Sequence, residues 1–363
     1  MVPRLQADGE DGSPTDSGSS NKAKVLANQV TISESINYGL DGDSTVDLTT
    51  DGDTESTISD TTSIQVVDLN IGSDLARGKV KVRGLATVQT LNLKGASELI
   101  LDTGGVIQAR KKIVVNSGAI LKVKGSLSAP EINGDFSVES GGDVVVTKVN
   151  GNITMGQGTA EFESVVGDLS INNGGTVKST EVEGAVSLGQ GTVEFNKVTG
   201  LVSIGNGGLF KSQKVKGNIQ VNGDTSVIKV DKVEGSLSLE KGMLQPGLSP
   251  GITIITGNYT QGVGGELEIE IGGLESSKID QLIIHNGMVS FGGKLKIILL
   301  DGYMPQEHDE FQIFTFDNST VQGSFSSFEG PPVGDSSWDL SQLYTTGKIR
   351  VAKFSFNLSN TSL

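Results

Sequence analysis

The chain has 363 residues, of which 50 are glycine, 8 proline and none cysteine, and its formal charge is −15. Without cysteine there is no disulfide and no thiolate metal site, and so acidic a chain repels phosphate, which sets nucleic acid aside as a partner. High glycine with little proline predicts many short strands joined by tight turns, and no stretch keeps an apolar period of about 3.6 residues, so almost no helix is expected.

Residues 1–23 are polar, acidic and rich in Gly, Ser and Asp, which predicts a disordered segment. They have no apolar core of the kind a signal peptide carries. Residues 25–76 hold ten acidic residues and no Lys or Arg. Two of their turns, Asp41-Gly42-Asp43 and Asp51-Gly52-Asp53, place paired carboxylates on glycine. Calcium uses such oxygens, but the glutamate-terminated loop and the glycine-rich nonapeptide are both missing, so a plain acidic turn pair is the preferred reading.

Residues 77–124 reverse the sign, with ten basic residues against Glu98 and Asp102. Neighbouring solvated faces that attract one another explain this. A patch for an anionic glycan, or head-to-tail self-association, are the sharper alternatives. Gly95, Gly118 and Gly141 recur at a spacing of 23, each followed by Leu99, Leu121 or Val144.

Across residues 149–239 a unit V-x-G-x-h-x-h, with h apolar, recurs as VNGNITM, VVGDLSI, VEGAVSL, VTGLVSI, VKGNIQV and VEGSLSL. Its glycines are Gly151, Gly167, Gly184, Gly200, Gly217 and Gly235, spaced by 16, 17, 16, 17 and 18. Residues two apart in a strand share a face. Ile153, Leu169, Val186, Val202, Ile219 and Leu237 therefore form one inward column, and Met155, Ile171, Leu188, Ile204, Val221 and Leu239 the next. Thr154, Ser170, Ser187, Ser203, Gln220 and Ser238 form the outward column between them. A polar ladder between two apolar ones, once per repeat, predicts stacked parallel strands. A second strand per repeat has an inward position running Phe162, Ser179, Phe195, Ser212, Val230, which superimposes a double repeat, with a period of 33, on the short one. The coil is expected to follow the short period of 16 to 17, with 33 as the alternative. Glycines are expected at corners, where a positive φ costs them nothing.

At Gln245-Pro246-Gly247-Leu248-Ser249-Pro250-Gly251 the short repeat stops, and alternating strands with broader spacing follow. The longest apolar run near the C-terminus, Leu295 to Leu300, is far shorter than the ~20 residues of a membrane helix. The string PGLSPGITIITGNYTQ, GELEIEI, IDQLIIHNG, GGKLKIILLDGYMP and WDLSQLYTTGKIRV resembles the C-terminal part of exported bacterial surface proteins, both autotransporter-like passengers and proteins with a C-terminal sorting tag of the PEP type. The resemblance implies a right-handed β-helix displayed outside the cell and ended by a β-rich cap, with Asp280 as a structural aspartate before a strand. Neither an outer-membrane barrel nor a sorting tag follows in this sequence. The repeats also resemble bactofilins, β-helical proteins that polymerise, though these have no counterpart of residues 246–363.

Polysaccharide-active β-helices need adjoining carboxylates, or a base beside an arginine, on one face. Here the outward column is Ser and Thr. Glu161 and Glu194 recur at the same place in the double repeat, which duplication explains. His285 and His308 have no motif partner and read as surface residues, and Trp338 is expected to pack on the cap. Asn152, Asn258, Asn318, Asn357 and Asn360 begin glycosylation-type tripeptides, meaningful only in a eukaryotic secretory route.

The sequence thus predicts an all-β chain: a right-handed parallel β-helix (solenoid) over 24–245, a disordered 1–23 and a β-rich C-terminal cap over 246–363. The function expected is a non-enzymatic extracellular or cell-surface scaffold in adhesion or matrix contact. Glycans, extracellular matrix or a second copy of the chain are the expected partners, and no catalytic, cofactor-binding or metal residue is assigned. An intracellular polymer-forming scaffold and a glycan-active enzyme are the alternatives.

Overall fold

The computed structural model describes residues 6–7, 22–27, 31–32, 35–40, 44–50, 55–73, 78–247 and 250–353. Almost all of this is strand, and among the described residues the only helical turn is Ser276–Lys278. The chain is a solenoid of stacked parallel coils, as its repeats predict, and it divides into two compact units, residues 1–185 and 186–363.

In the first unit one coil illustrates the design. Strand Ile153–Met155 is followed by Thr159–Val166, which bends at Glu163, the residue left out of both neighbouring ladders. Each coil therefore contributes three ladder segments. Ile153, Met155, Ala160, Phe162 and Val165 turn inward and are buried. Phe136 pairs with Ile153, and Ile153 with Leu169, so one short repeat makes one coil. The longer double period is therefore not a coil but an alternation of side-chain size along one column. Phe162 lies in register with Ser179, which is buried and donates its hydroxyl to Glu181 O at 3.0 Å. A large ring beside a small hydroxyl lets side chains share a narrow column without clash, and the local bond removes the penalty of a buried polar group.

Parallel pairing also reaches further toward the N-terminus than the visible repeat. Thr31 pairs with Thr57, Ile58 with Val82, and strand Thr45–Thr50 with Ser63–Ile71. The acidic region thus forms coils of its own. Strand Gln6–Ala7 pairs antiparallel with Lys22–Ala27, which places a short strand inside the segment expected to be disordered; the rest of 1–21 lies outside the described residues.

The spacing of 23 misplaces Gly141. Leu99 and Leu121 do pair across neighbouring coils, but Val144 pairs with Leu127 and Ala160, in a different ladder. Gly141 occupies the turn before that ladder, as Gly104 does one corner later than Gly95. The equal spacing arises because coil length changes along this stretch.

The corner glycines answer a demand for space as much as for dihedral freedom. At Gly167 φ is +147°, and an added Cβ would sit inside van der Waals contact of Gly151 O. At Gly151 φ is unremarkable, yet a Cβ would overlap the Gly134 carbonyl just as badly.

In the second unit Val186 pairs with Val202, Val202 with Ile219 and Ile219 with Leu237, again one short repeat per coil. The parallel ladder does not stop at Pro246. Leu237 pairs with Tyr259, Tyr259 with Val289 and Met288 with Thr320, each partner further along the chain than the last. What ends is the short period, because longer loops enter each coil. Glu310–Gln312, Ser336–Asp339 and Lys348–Lys353 form a separate, antiparallel three-stranded sheet. Phe291, Phe314, Phe325 and Tyr344 meet at the end of the apolar column, with ring centroids 4.7 Å (Phe291–Phe325) to 6.2 Å (Phe325–Tyr344) apart. Tyr344 and the buried Leu343 come from the loop before Lys348–Lys353, so this loop covers the last coil.

Candidate functional site

The outward column is where a solenoid meets its surroundings. Thr154, Ser187 and Gln220 are exposed, and Ser170, Ser203 and Ser238 half-buried. They lie in register within each unit: Thr154 beside Ser170 in the first, Ser187 beside Ser203 beside Gln220 beside Ser238 in the second. Hydroxyls and amides repeated at strand-ladder spacing, ~4.8 Å, offer donors and acceptors but no group that titrates near neutrality.

The carboxylates that sequence singled out are set beside lysines. Glu161 is in register with Lys178, and Glu194 with Lys211. Glu194 borders a cleft shared with Asn196, Lys211, Gln213 and Asp231, of about 50 Å³. Burial raises the Asp231 carboxyl above its ordinary value. A ligand pocket spans ~300–1,000 Å³, so this cleft does not enclose a sugar ring.

Charge segregation in the first unit resolves into ladders of opposite sign. Lys81 meets Glu55 at 2.9 Å, Lys122 meets Glu98 at 2.8 Å, Arg83 meets Asp102 at 3.0 Å and Lys124 meets Glu139 at 3.3 Å. The hydrogen bond from Lys122 holds the Glu98 carboxyl below its usual range, and that from Arg83 does the same for Asp102. Arg110, Lys111 and Lys112, like Lys94, form no ion pair among the described residues.

The second unit holds a larger groove that the sequence did not reveal. Leu299, Tyr303, Met304, Pro305, Pro332 and Val333 form its apolar lining, with Glu307 and Asp335 at the edge and a volume of about 480 Å³. The Tyr303 hydroxyl donates to Asp309 Oδ2 at 3.3 Å, and burial with that neighbouring carboxylate pushes the phenol up to about 12, so it stays neutral. Its two walls lie in separate loops that carry only Gly, Pro and Met as cues, which is why no periodic signal marks it.

The single residues fall as follows. Asp280 is buried and accepts Gly251 N–H at 2.6 Å and Glu270 N–H at 2.9 Å, so it ties two other segments together as well as preceding its own strand. His285 ends strand Gln281–His285 and has a partner that sequence missed: its Nδ1 lies 2.8 Å from Asp317 Oδ2. His308 is exposed, with Nε2 3.4 Å from Glu307 Oε1. Trp338 packs on Phe311 and Phe328 and donates to Pro331 O at 2.9 Å. The side chains of Asn152 and Asn258 accept backbone N–H groups of the next coil. Both Asp-Gly-Asp turns, and Asn357 and Asn360, lie outside the described residues.

Among the described residues no three His, Asp or Glu side chains converge as metal ligands, and no helix is long and apolar enough to cross a membrane. No protein-family model matches the chain, and comparison with curated proteins finds no relative.

Proposed function

We propose that this chain is a non-enzymatic scaffold displayed at a cell surface or secreted, making adhesive or matrix contacts along its solenoid. One observation carries the reading: the outward ladders repeat hydroxyl and amide groups coil after coil, while the recurrent carboxylates Glu161 and Glu194 lie in register with Lys178 and Lys211. A retaining or inverting glycosidase instead sets two carboxyl groups facing one another across a substrate, ~5–9.5 Å apart. The resemblance of residues 246–351 to exported surface proteins supports the location.

The test is a binding screen of the purified 363-residue chain against immobilised glycans and matrix proteins, run beside a cleavage assay on pectin and alginate. Binding without turnover is the expected result. Turnover that Glu161→Gln or Glu194→Gln abolishes would make the chain an enzyme. Filaments formed at micromolar concentration, with no binding to any surface ligand, would favour a polymer-forming scaffold.

A further inference from the structure

Strand Val106–Val115 departs from the pattern its neighbours keep. At the bend between the second and third ladder segments, two residues turn outward in each of the adjoining coils: Gln89 and Thr90, Pro130 and Glu131, Thr147 and Lys148. In Val106–Val115 three consecutive residues do so, and all three are cations: Arg110, Lys111 and Lys112. Both ladders register the insertion. Against Leu85–Leu93 the pairing steps from Ala109↔Val88 to Lys112↔Thr90, and against Ser126–Asn133 from Gln108↔Ser128 to Ile113↔Ile132. Each step gives this strand one residue more than its neighbour. A β-bulge of this kind re-aims side chains out of the regular pleat.

The chemistry of the bulge is not accounted for by packing. No Asp or Glu occurs between Asp102 and Glu131. Lys122 and Lys124, in the same stretch, are paired with Glu98 and Glu139. Glu131, on the adjoining strand, lies in register with Lys148 and accepts a hydrogen bond from Asn150 Nδ2 at 3.0 Å. Three exposed like charges in succession repel one another, and no carboxylate among the described residues pairs with them to compensate.

We propose that the Arg110-Lys111-Lys112 bulge is a binding site for a linear acidic polysaccharide bearing sulfate or carboxylate groups. This names a ligand class for the surface-scaffold reading and rests on it. A guanidinium presents a planar fork that matches a sulfate or carboxylate through two hydrogen bonds, and the lysines add mobile point charges for neighbouring groups on the same chain. The overall charge of −15 does not cancel the site, because at physiological salt charges beyond ~8 Å are largely screened. Nucleic acid is disfavoured: neither this strand nor the two paired with it carries an aromatic ring on which a base stacks. A bilayer is disfavoured as well, since Gln89, Thr90, Pro130 and Glu131 beside the bulge supply no long apolar side chain to enter the headgroup layer.

The experiment measures affinity of the full chain for immobilised heparin and alginate across a sodium chloride series. The comparison is between the wild type, the variant Arg110→Ser/Lys111→Ser/Lys112→Ser, and a control losing equal charge elsewhere, Lys216→Ser/Lys241→Ser/Lys278→Ser. Thermal unfolding of all three shows that they are folded. The bulge variant should lose at least ~10-fold in affinity, and its log–log salt slope should fall by about 2–3, one counterion per lost contact; the control should keep both. Equal loss in both variants would reduce the effect to net charge and overturn the site. So would tighter binding to single-stranded DNA or to anionic vesicles than to either polysaccharide. If the wild type binds neither polysaccharide yet binds neutral glycans or matrix proteins, the site is wrong and the scaffold reading stands.

Discussion

The side-chain carbonyl of Asn152 accepts the backbone N–H of Asp168 at 2.8 Å, and Asp168 in turn accepts that of Ala185 at 2.8 Å. One coil earlier Asp135 accepts Asn152 N–H at 2.7 Å. Each of these acceptors directly follows a corner glycine, where the chain leaves one ladder segment before joining the next. The second unit repeats the device with Asn218 accepting Ser236 N–H at 2.9 Å, Ser236 accepting Asn258 at 3.0 Å and Asn258 accepting Met288 at 2.8 Å. A backbone donor at a corner has no strand partner and must be satisfied in some other way. Here the residue below supplies the acceptor, so Asn, Asp and Ser after glycine form a side-chain ladder that continues the backbone one.

Removing one rung should therefore cost stability without altering the fold. Asn152→Leu leaves the Asp168 donor to water at an exposed corner, for a loss of about 1 kcal/mol. Asn152→Ser should recover part of it, because Ser236 already serves in this role. Urea melts of the three chains check this; equal stability of the Leu variant and the wild type would show the rung to be idle.

The two faces of one strand should respond oppositely to the same charge. Leu188 and Ile204 are buried in the column and Ser187 faces out. Leu188→Asp or Ile204→Asp places an unpaired carboxylate among apolar groups and should cost several kcal/mol. Ser187→Asp should stay within ~0.5 kcal/mol. Similar losses at Ser187 and Leu188 in urea would contradict the inward assignment.

Corner glycines separate two physical demands. Gly151→Ala meets only a steric barrier, the carbonyl of Gly134, whereas Gly167→Ala meets the Gly151 carbonyl and an unfavourable φ of +147°. Both should destabilise, because the clash outweighs the ~0.4–1 kcal/mol that Gly→Ala gains by lowering the entropy of the unfolded chain, and Gly167→Ala should be the worse. Unchanged melting of Gly151→Ala would mean that the coils can separate locally to admit a methyl group.

The coil itself was readable because every short repeat carries its own corner glycine and its own apolar pair, so that Ile153, Leu169 and their successors announce a register. The same logic failed where coil length varies. Gly95, Gly118 and Gly141 are evenly spaced in sequence but occupy different corners. Beyond Pro246, loops such as 272–280 lengthen each coil and erase the period, while parallel pairing persists through Ser327–Glu329. Arg110 to Lys112 looked like part of a broad basic region; only the ladders show that one residue is inserted there. His285 and Asp317 meet because their strands are laterally paired, a relation that their separation along the chain hides. The Tyr303 groove has no periodic cause at all, since loops from two separate turns build it.

Asp280 gives the fold a pH dependence whose sign can be stated in advance. Its carboxyl is buried and accepts Gly251 N–H and Glu270 N–H. Burial is the larger influence, and the two N–H bonds and Lys229 only partly oppose it, while the Glu270 carboxylate adds to it; the net result is a rise from 3.8 to about 7. Below the unfolded value both states hold the proton and this residue contributes no slope. Between that value and about 7 the folded chain binds more protons than the unfolded one, so stability falls as pH rises. Above about 7 both states are ionised, and the full cost of a buried charge is present and constant. Carboxylates paired with lysines act in the opposite direction at lower pH: Glu234, held down to about 2 by Lys214 and Lys232, favours the folded state more as pH rises through the acid range. The two effects are separated by subtraction. Asp280→Asn cannot titrate, although it exchanges one acceptor for a donor and so carries a constant penalty. The stability of wild type minus variant, from urea melts between pH 4 and 8 (roughly the window the shift defines), should therefore fall as pH rises to about 7 and level off beyond it. A difference that is flat across this range would mean that Asp280 is ionised throughout in the folded chain, with its two N–H bonds outweighing burial.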